Sequence, residues 1–158
     1  MSAEELNKLL DILAATPGNI QSLLENISDE QLRRRPADDE FSCVETVCHL
    51  RDIEAEGYST RIKLILEEDR PFLADIDGAR LAAEREYHKQ DLREALRAFA
   101  RARTESTIAL TKLGPDELSR EGTLEGVGTV KLEELLVMMR DHDAGHIKDI
   151  EQIRRASD

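Results

Sequence analysis

Apolar residues recur along most of this chain in steps of three and four, the period of one helical face. Ser2 with Glu5 forms a capping box that opens a first long helix, whose apolar face is carried by Leu9, Leu10, Ile12 and Leu13. Thr16-Pro17-Gly18 is expected to break it, with helix resuming beyond. Ser28-Asp29-Glu30-Gln31 is a second capping box, for a short turn that ends before Pro36. Ser42-Cys43-Val44-Glu45 is a third, and it starts a second long helix that runs to about Asp69. Pro71 to Gly78 interrupts the pattern, and Ala79 to Tyr87 makes a short helix. Asp91-Leu92-Arg93-Glu94 then caps a third long helix reaching Leu113, ahead of Gly114-Pro115. Gly122, Gly126 and Gly128 mark a flexible loop, after which Thr129 is expected to cap a fourth long helix ending near Arg155. Strand-like alternation is missing and no repeat of solenoid length occurs. The pattern predicts an all-α four-helix bundle without a sheet, one domain over residues 1–158.

Composition sharpens this picture. Hydrophobic residues make up 40% of the chain but aromatics only 3%, with no Trp, so the core must be built from Leu, Ile, Val and Ala. That palette favours helices over strands. A net charge of −12 repels a phosphate backbone, and the densest basic runs, Arg33-Arg34-Arg35 and Arg154-Arg155, are short and lack aromatics between them. No nucleic-acid partner is expected. The acidic start MSAEELNKLL lacks the basic region of a signal peptide, and no apolar run is long enough for a membrane span. A cytoplasmic protein with no membrane partner is expected. Cys43 and Cys48 have neither CxxC spacing nor a disulfide framework and read as small buried hydrophobes.

Candidate chemistry enters with the histidines. The inward stripe of the fourth helix reads Leu132, Leu135, Met139, His142, His146, Ile150, Ile153, which places two imidazoles four residues apart on one buried face. A helix supplies two nitrogens to one metal ion in this way. The alternative is that the two rings hydrogen-bond in a polar part of the core. A third nitrogen must come from elsewhere, and His49 lies at a matching height if the second and fourth helices run antiparallel. On an ideal wheel, however, His49 sits with Thr46, Ile53 and Thr60, away from the Val44, Val47, Cys48, Ile62 stripe. His88, in Tyr87-His88-Lys89-Gln90, has polar neighbours and reads as exposed.

The stretches FSCVETVCHLRDIE, RPFLADID and HDAGHIKDI together resemble the DinB-like family of metal-binding four-helix-bundle proteins, from about Leu9 to Ile153. The resemblance implies an up-down-down-up bundle with a long crossover between helices 2 and 3. It also implies one divalent ion, zinc or nickel, held by His49, His142 and His146. Members often have Trp where this chain has Phe41, and Asn where it has His88. Characterised members include transferases and isomerases that use low-molecular-weight thiols.

Three neutral nitrogens leave a four-coordinate ion one open position, the mark of a catalytic site. No glutamate separates the two histidines as in HExxH; the sequence there is Asp143-Ala144-Gly145, so hydrolysis needs a base from elsewhere, whereas a thiol needs less help. The leading expectation is a metal-dependent transferase acting on a small-molecule thiol, with a metal-dependent hydrolase and a non-enzymatic metal-binding bundle as alternatives. A homodimer is compatible with each. Glu45 and Asp149 are candidates to orient His49 and His146 through the second ring nitrogen. Gly145, inside a helix at a cost of about 1 kcal/mol relative to Ala, suggests a close approach to the backbone.

Overall fold

A computed structural model describes residues 1–156 of the chain. Helix α1 (Ala3–Leu23) opens on the Ser2/Glu5 capping box and, against expectation, runs unbroken through Pro17. Proline has no N–H for the carbonyl four residues back. That carbonyl belongs to Leu13, and the Nη1 of Arg103 donates to it at 2.8 Å. The hydrogen bond that the proline removes is thus supplied from another helix. A one-turn helix α2 (Asp29–Arg33) follows, capped by Ser28 as its sequence indicates.

The second long helix is three segments in series. Helix α3 (Cys43–Asp52) passes into a π-helical stretch, Ile53–Tyr58, before α4 (Ser59–Glu67). Ser59 N–H donates to Glu54 C=O, five residues back, which widens the turn by one residue. Glu54 and Tyr58 are both buried in that turn. The connection to the third long helix holds a short strand β1 (Phe72–Leu73), helix α5 (Gly78–Glu84) and a 3₁₀ turn, Tyr87–Lys89. Among the contacts that tie it down, Arg61 donates to the carbonyl of Ala74 at 2.8 Å, and Tyr87 Oη donates to Asp52 at 2.6 Å. Helix α6 (Leu92–Leu110), the turn α7 (Pro115–Leu118) and the last helix α8 (Leu132–Arg155) complete the helical frame.

A small sheet corrects the expectation that there would be none. Strands β2 (Glu121–Leu124) and β3 (Gly128–Lys131) form an antiparallel hairpin, and β1 pairs with β2 in parallel, Phe72 opposite Thr123 and Leu73 opposite Leu124. Four-residue strands fall below the length at which alternation can be read, and the three glycines masked them further. Gly126 and Gly128, with φ of 74° and 111°, supply the left-handed backbone of the hairpin turn. The ladder uses the backbone of residues 128–131, so α8 starts at Leu132, capped through Glu134 at Lys131, and Thr129 is a strand residue.

Two apolar clusters make the core. One joins the N-terminal half of α1 to α4, the sheet and Leu132 to Met139 of α8. The other joins Ile20 and Leu24 to α3, α5, Tyr87, Phe99 and Ile150. Between Met139 and Ile150 the bundle is crossed by a polar layer, and the histidines lie in it. Among the described residues no helix is long and apolar enough to cross a membrane.

Candidate metal centre

α3 is buried on almost every side: Cys43 to Cys48 are each at most 1% exposed. A helix enclosed in this way has no solvent face, so His49, off the main apolar stripe, is still directed into the bundle. It meets the two histidines of α8. Nε2 of His49 and Nε2 of His142 are 3.2 Å apart, and the ring centroids of the three residues are separated by 4.6 to 5.3 Å. One nitrogen from each ring falls within 4.8 Å of the others, a group that could hold a metal ion.

The surroundings keep these rings neutral. Burial pushes His49 down to about 4 and His142 to about 3, with neighbouring histidines adding to the effect; burial lowers His146 as well. Neutral imidazole is the form that ligates a metal. Nδ1 of His49 and of His142 is buried without a hydrogen-bond partner, and Nδ1 of His146 has only the Asp149 carboxylate beside it. Three such groups converging in a polar layer are the donor set a divalent ion needs. Phe41 packs beside His49 and Tyr58 beside His142, at centroid distances of 5.5 and 6.0 Å.

The two carboxylates expected beside the histidines fare differently. Asp149 Oδ2 lies 3.2 Å from Nδ1 of His146. Glu45 instead accepts from Arg35 Nε at 2.9 Å and from the Ser42 amide at 2.9 Å, completing the cap of α3, and it makes no hydrogen bond to His49. The reason is positional: a glutamate at the third residue of a capping box reaches backward, away from the next turn. His88 is exposed in the 3₁₀ turn, away from the other three, as its neighbours indicate. Cys43 and Cys48 are buried free thiols, both pushed up to about 11 by burial.

Two features were missed in the sequence. A Cβ built on Gly78 would stand 2.7 Å from Cε1 and 2.8 Å from Nδ1 of His49, so the backbone at the start of α5 rests directly on that ring. No local pattern announces such a contact. Gly145, by contrast, has nothing within 4 Å of its Cβ position, so the close approach expected there does not occur. The second missed feature is the ion cluster beneath the histidines. Arg103, 1% exposed, donates to Glu54 at 3.0 Å and bidentately to Asp143 at 2.6 and 3.2 Å. Its signal was legible: Ala95, Phe99, Arg103, Thr107 and Leu110 form the inward stripe of α6, with a charge at its centre. Asp143, between the histidines in sequence, is thereby committed to a structural pair.

His146 also lines a cavity of about 570 Å³ whose walls include Phe41, Thr46 and Ile153. Asp39, Glu40 and Asp149 stand around it, and among the described residues no Lys or Arg lines it.

Comparison with known proteins agrees with this arrangement. The family model of the DinB superfamily matches residues 12–150, which hold all three histidines. The chain belongs to the DinB superfamily. Within it, the solved structure of YfiT from Bacillus subtilis, described as a probable metal-dependent hydrolase with an unusual four-helix bundle topology, superposes with a TM-score of 0.91. The match covers 99% of this chain and 89% of that one at 23% identity, and it establishes a shared four-helix-bundle fold. A search of curated proteins finds no match.

Proposed function

We propose that this DinB-superfamily chain is a metal-dependent hydrolase of a small molecule, with His49, His142 and His146 holding one divalent ion, zinc or nickel. The observation that carries the reading is the convergence of three neutral, partner-poor imidazoles from two helices at the edge of a cavity. When bound, such an ion supplies Lewis acidity that acidifies water and polarises a carbonyl. The chain's own groups then have distinct tasks. Asp149 favours the proton on Nδ1 of His146, which leaves Nε2 as the donor atom. Phe41 and Tyr58 limit how far the His49 and His142 rings turn.

Hydrolysis is preferred over thiol transfer on the ground of structural likeness. The related YfiT is described as a probable hydrolase. The chain's cysteines are fully buried, so the nucleophile, water or a thiol, arrives from solution, and with Asp143 paired to Arg103 the base that water needs comes from outside the HxxxH stretch. Two free thiols fit a reducing, cytoplasmic setting. An up-down-down-up order is supported by the order of cross-helix contacts. Glu54 meets Arg103 and Ser59 meets Ser106, pairs that ascend together, whereas His49 is nearer His146 and Tyr58 meets His142, pairs that run oppositely.

Elemental analysis and metal titration of single variants test the site. His49→Ala, His142→Ala and His146→Ala are expected to lose stoichiometric zinc or nickel, and His88→Ala to keep it. Full occupancy in His49→Ala, or hydrolysis of an ester and amide panel that survives chelation, would overturn the reading.

A further inference from the structure

We infer that the groove which α6 forms with α4 and the π-helical stretch before it is a second small-molecule site, for an apolar molecule that ends in a primary ammonium group. It does not rest on the hydrolase reading, since none of the three histidines lines it. The groove holds a cavity of about 430 Å³, within the range of small-molecule sites. Its walls are apolar, from Ile62, Leu66, Leu110 and Leu113, and the short side chains of Ala55 and Ala102 leave it open. Two polar groups also line it, Ser59 Oγ and Ser106 Oγ, which are 3.0 Å apart.

Behind the serines lies a buried acceptor without a donor. Glu54 is 1% exposed and its Oε2 accepts from Arg103, but its Oε1 has no aligned hydrogen-bond partner. The Ser106 hydroxyl is close enough to favour the ionised carboxylate. Charge is unbalanced at the same place. Glu54 and Asp143 share one guanidinium, and among the described residues no other Lys or Arg pairs with either, so two carboxylates less one arginine leave one negative charge in surplus. A buried charge without a counter-charge is costly, and burial accordingly raises the Glu54 carboxyl. The serine pair connects that surplus to the groove. With Ser106 turned to donate to Glu54, Ser59 donates to Ser106, and Ser59 Oγ is left to accept from a bound molecule. An ammonium head brings both the donor and the charge; an alcohol brings only the donor, and a carboxylate neither. Lys63 does not fill this role, being exposed at the rim with Glu67 and Glu105.

Hexylamine, hexanol and hexanoate share a chain and differ at the head. Binding is followed by calorimetry and by the amide resonances of groove residues, first in chelated protein, where the amine has no metal ion to ligate, and then in zinc-loaded protein. Hexylamine is expected to bind about ten-fold more tightly than hexanol, with hexanoate weaker than both. Ala102→Leu fills the groove and should abolish the binding of all three. Glu54→Gln, with folding checked by circular dichroism, should bring the amine and the alcohol close to equal. The double variant Ser59→Ala/Ser106→Ala leaves the ion cluster in place and should do the same, so the test stands even where Glu54→Gln does not fold. The inference is overturned if hexanoate binds as well as hexylamine, if Ala102→Leu leaves hexylamine binding intact, or if the preference survives in the serine variant. Equal binding of hexylamine and hexanol to the wild type also overturns it, because Glu54 then holds a proton and the surplus charge does not exist.

Discussion

At the scale of single residues, the two glycines near the histidines make opposite demands. Gly78 lies against His49, and no side chain fits between them without moving the ring or the start of α5. Gly78→Ala is therefore expected to weaken zinc affinity at least ten-fold, about 1.4 kcal/mol, while leaving the helical circular dichroism signal in place. Metal titration of the variant beside the wild type checks this. Gly145 has open space around it, so Gly145→Ala should keep zinc binding and raise stability by up to about 1 kcal/mol, read from the urea midpoint. The contrast shows which placements around the candidate site can be read from sequence. His142 and His146 are legible because four-residue spacing on an apolar stripe puts both rings on one face. His49 needed the family resemblance, since its wheel position is explained only by the burial of α3 on nearly all sides. Gly78 and the diversion of Glu45 to Arg35 were not legible, because each depends on a neighbour that only the folded chain supplies.

Among the elements, the cluster of Arg103, Glu54 and Asp143 joins the π-helical stretch, α6 and α8, and through Leu13 it also reaches α1. It stands in the polar layer between the two apolar clusters, with Phe99 packed 4.9 Å from the guanidinium. Removing the arginine leaves two buried carboxylates without their counter-charge and one carbonyl of α1 without a donor. Arg103→Met is expected to cost about 3–5 kcal/mol, measured by chemical denaturation, and to loosen the proposed metal site because Asp143 adjoins His142. The same cluster explains two departures from the predicted elements. Pro17 did not break α1 because Arg103 takes the place of its missing N–H. The second helix is not a uniform rod because a π turn buries Glu54 toward that arginine. Capping boxes were read correctly at Ser2, Ser28 and Ser42 because they are local; the π turn and the proline compensation are tertiary effects. Short strands escaped for a related reason, since a two-residue β1 exists only by pairing with β2, some fifty residues away.

For the molecule as a whole, the question is how much of its stability the histidine layer takes away when no ion is bound. The apolar clusters on either side of the layer do not include the histidines, so chelation should leave the helical signal intact, unlike a zinc finger, which unfolds without its metal. The chelated protein should instead show the layer as a pH dependence. His49 and His142 are held at about 4 and about 3 by burial, whereas in the unfolded chain each titrates near its ordinary value of about 6.5. Between those limits the unfolded state binds more protons than the native state, so stability falls as pH is lowered from about 6.5 toward 4 and is flat above that for these groups. Glu54, which burial raises, acts in the opposite sense, and carboxylates that are held low, such as Asp52, come into play only below the window. The histidine contribution is therefore isolated by comparison with a His49→Leu/His142→Leu variant. Urea midpoints of the chelated wild type should drop between pH 6.5 and 5, and those of the variant should drop much less. Equal slopes would mean that the two rings accept protons in the native state, in which case they are open to water and the neutral, partner-poor donor set does not exist.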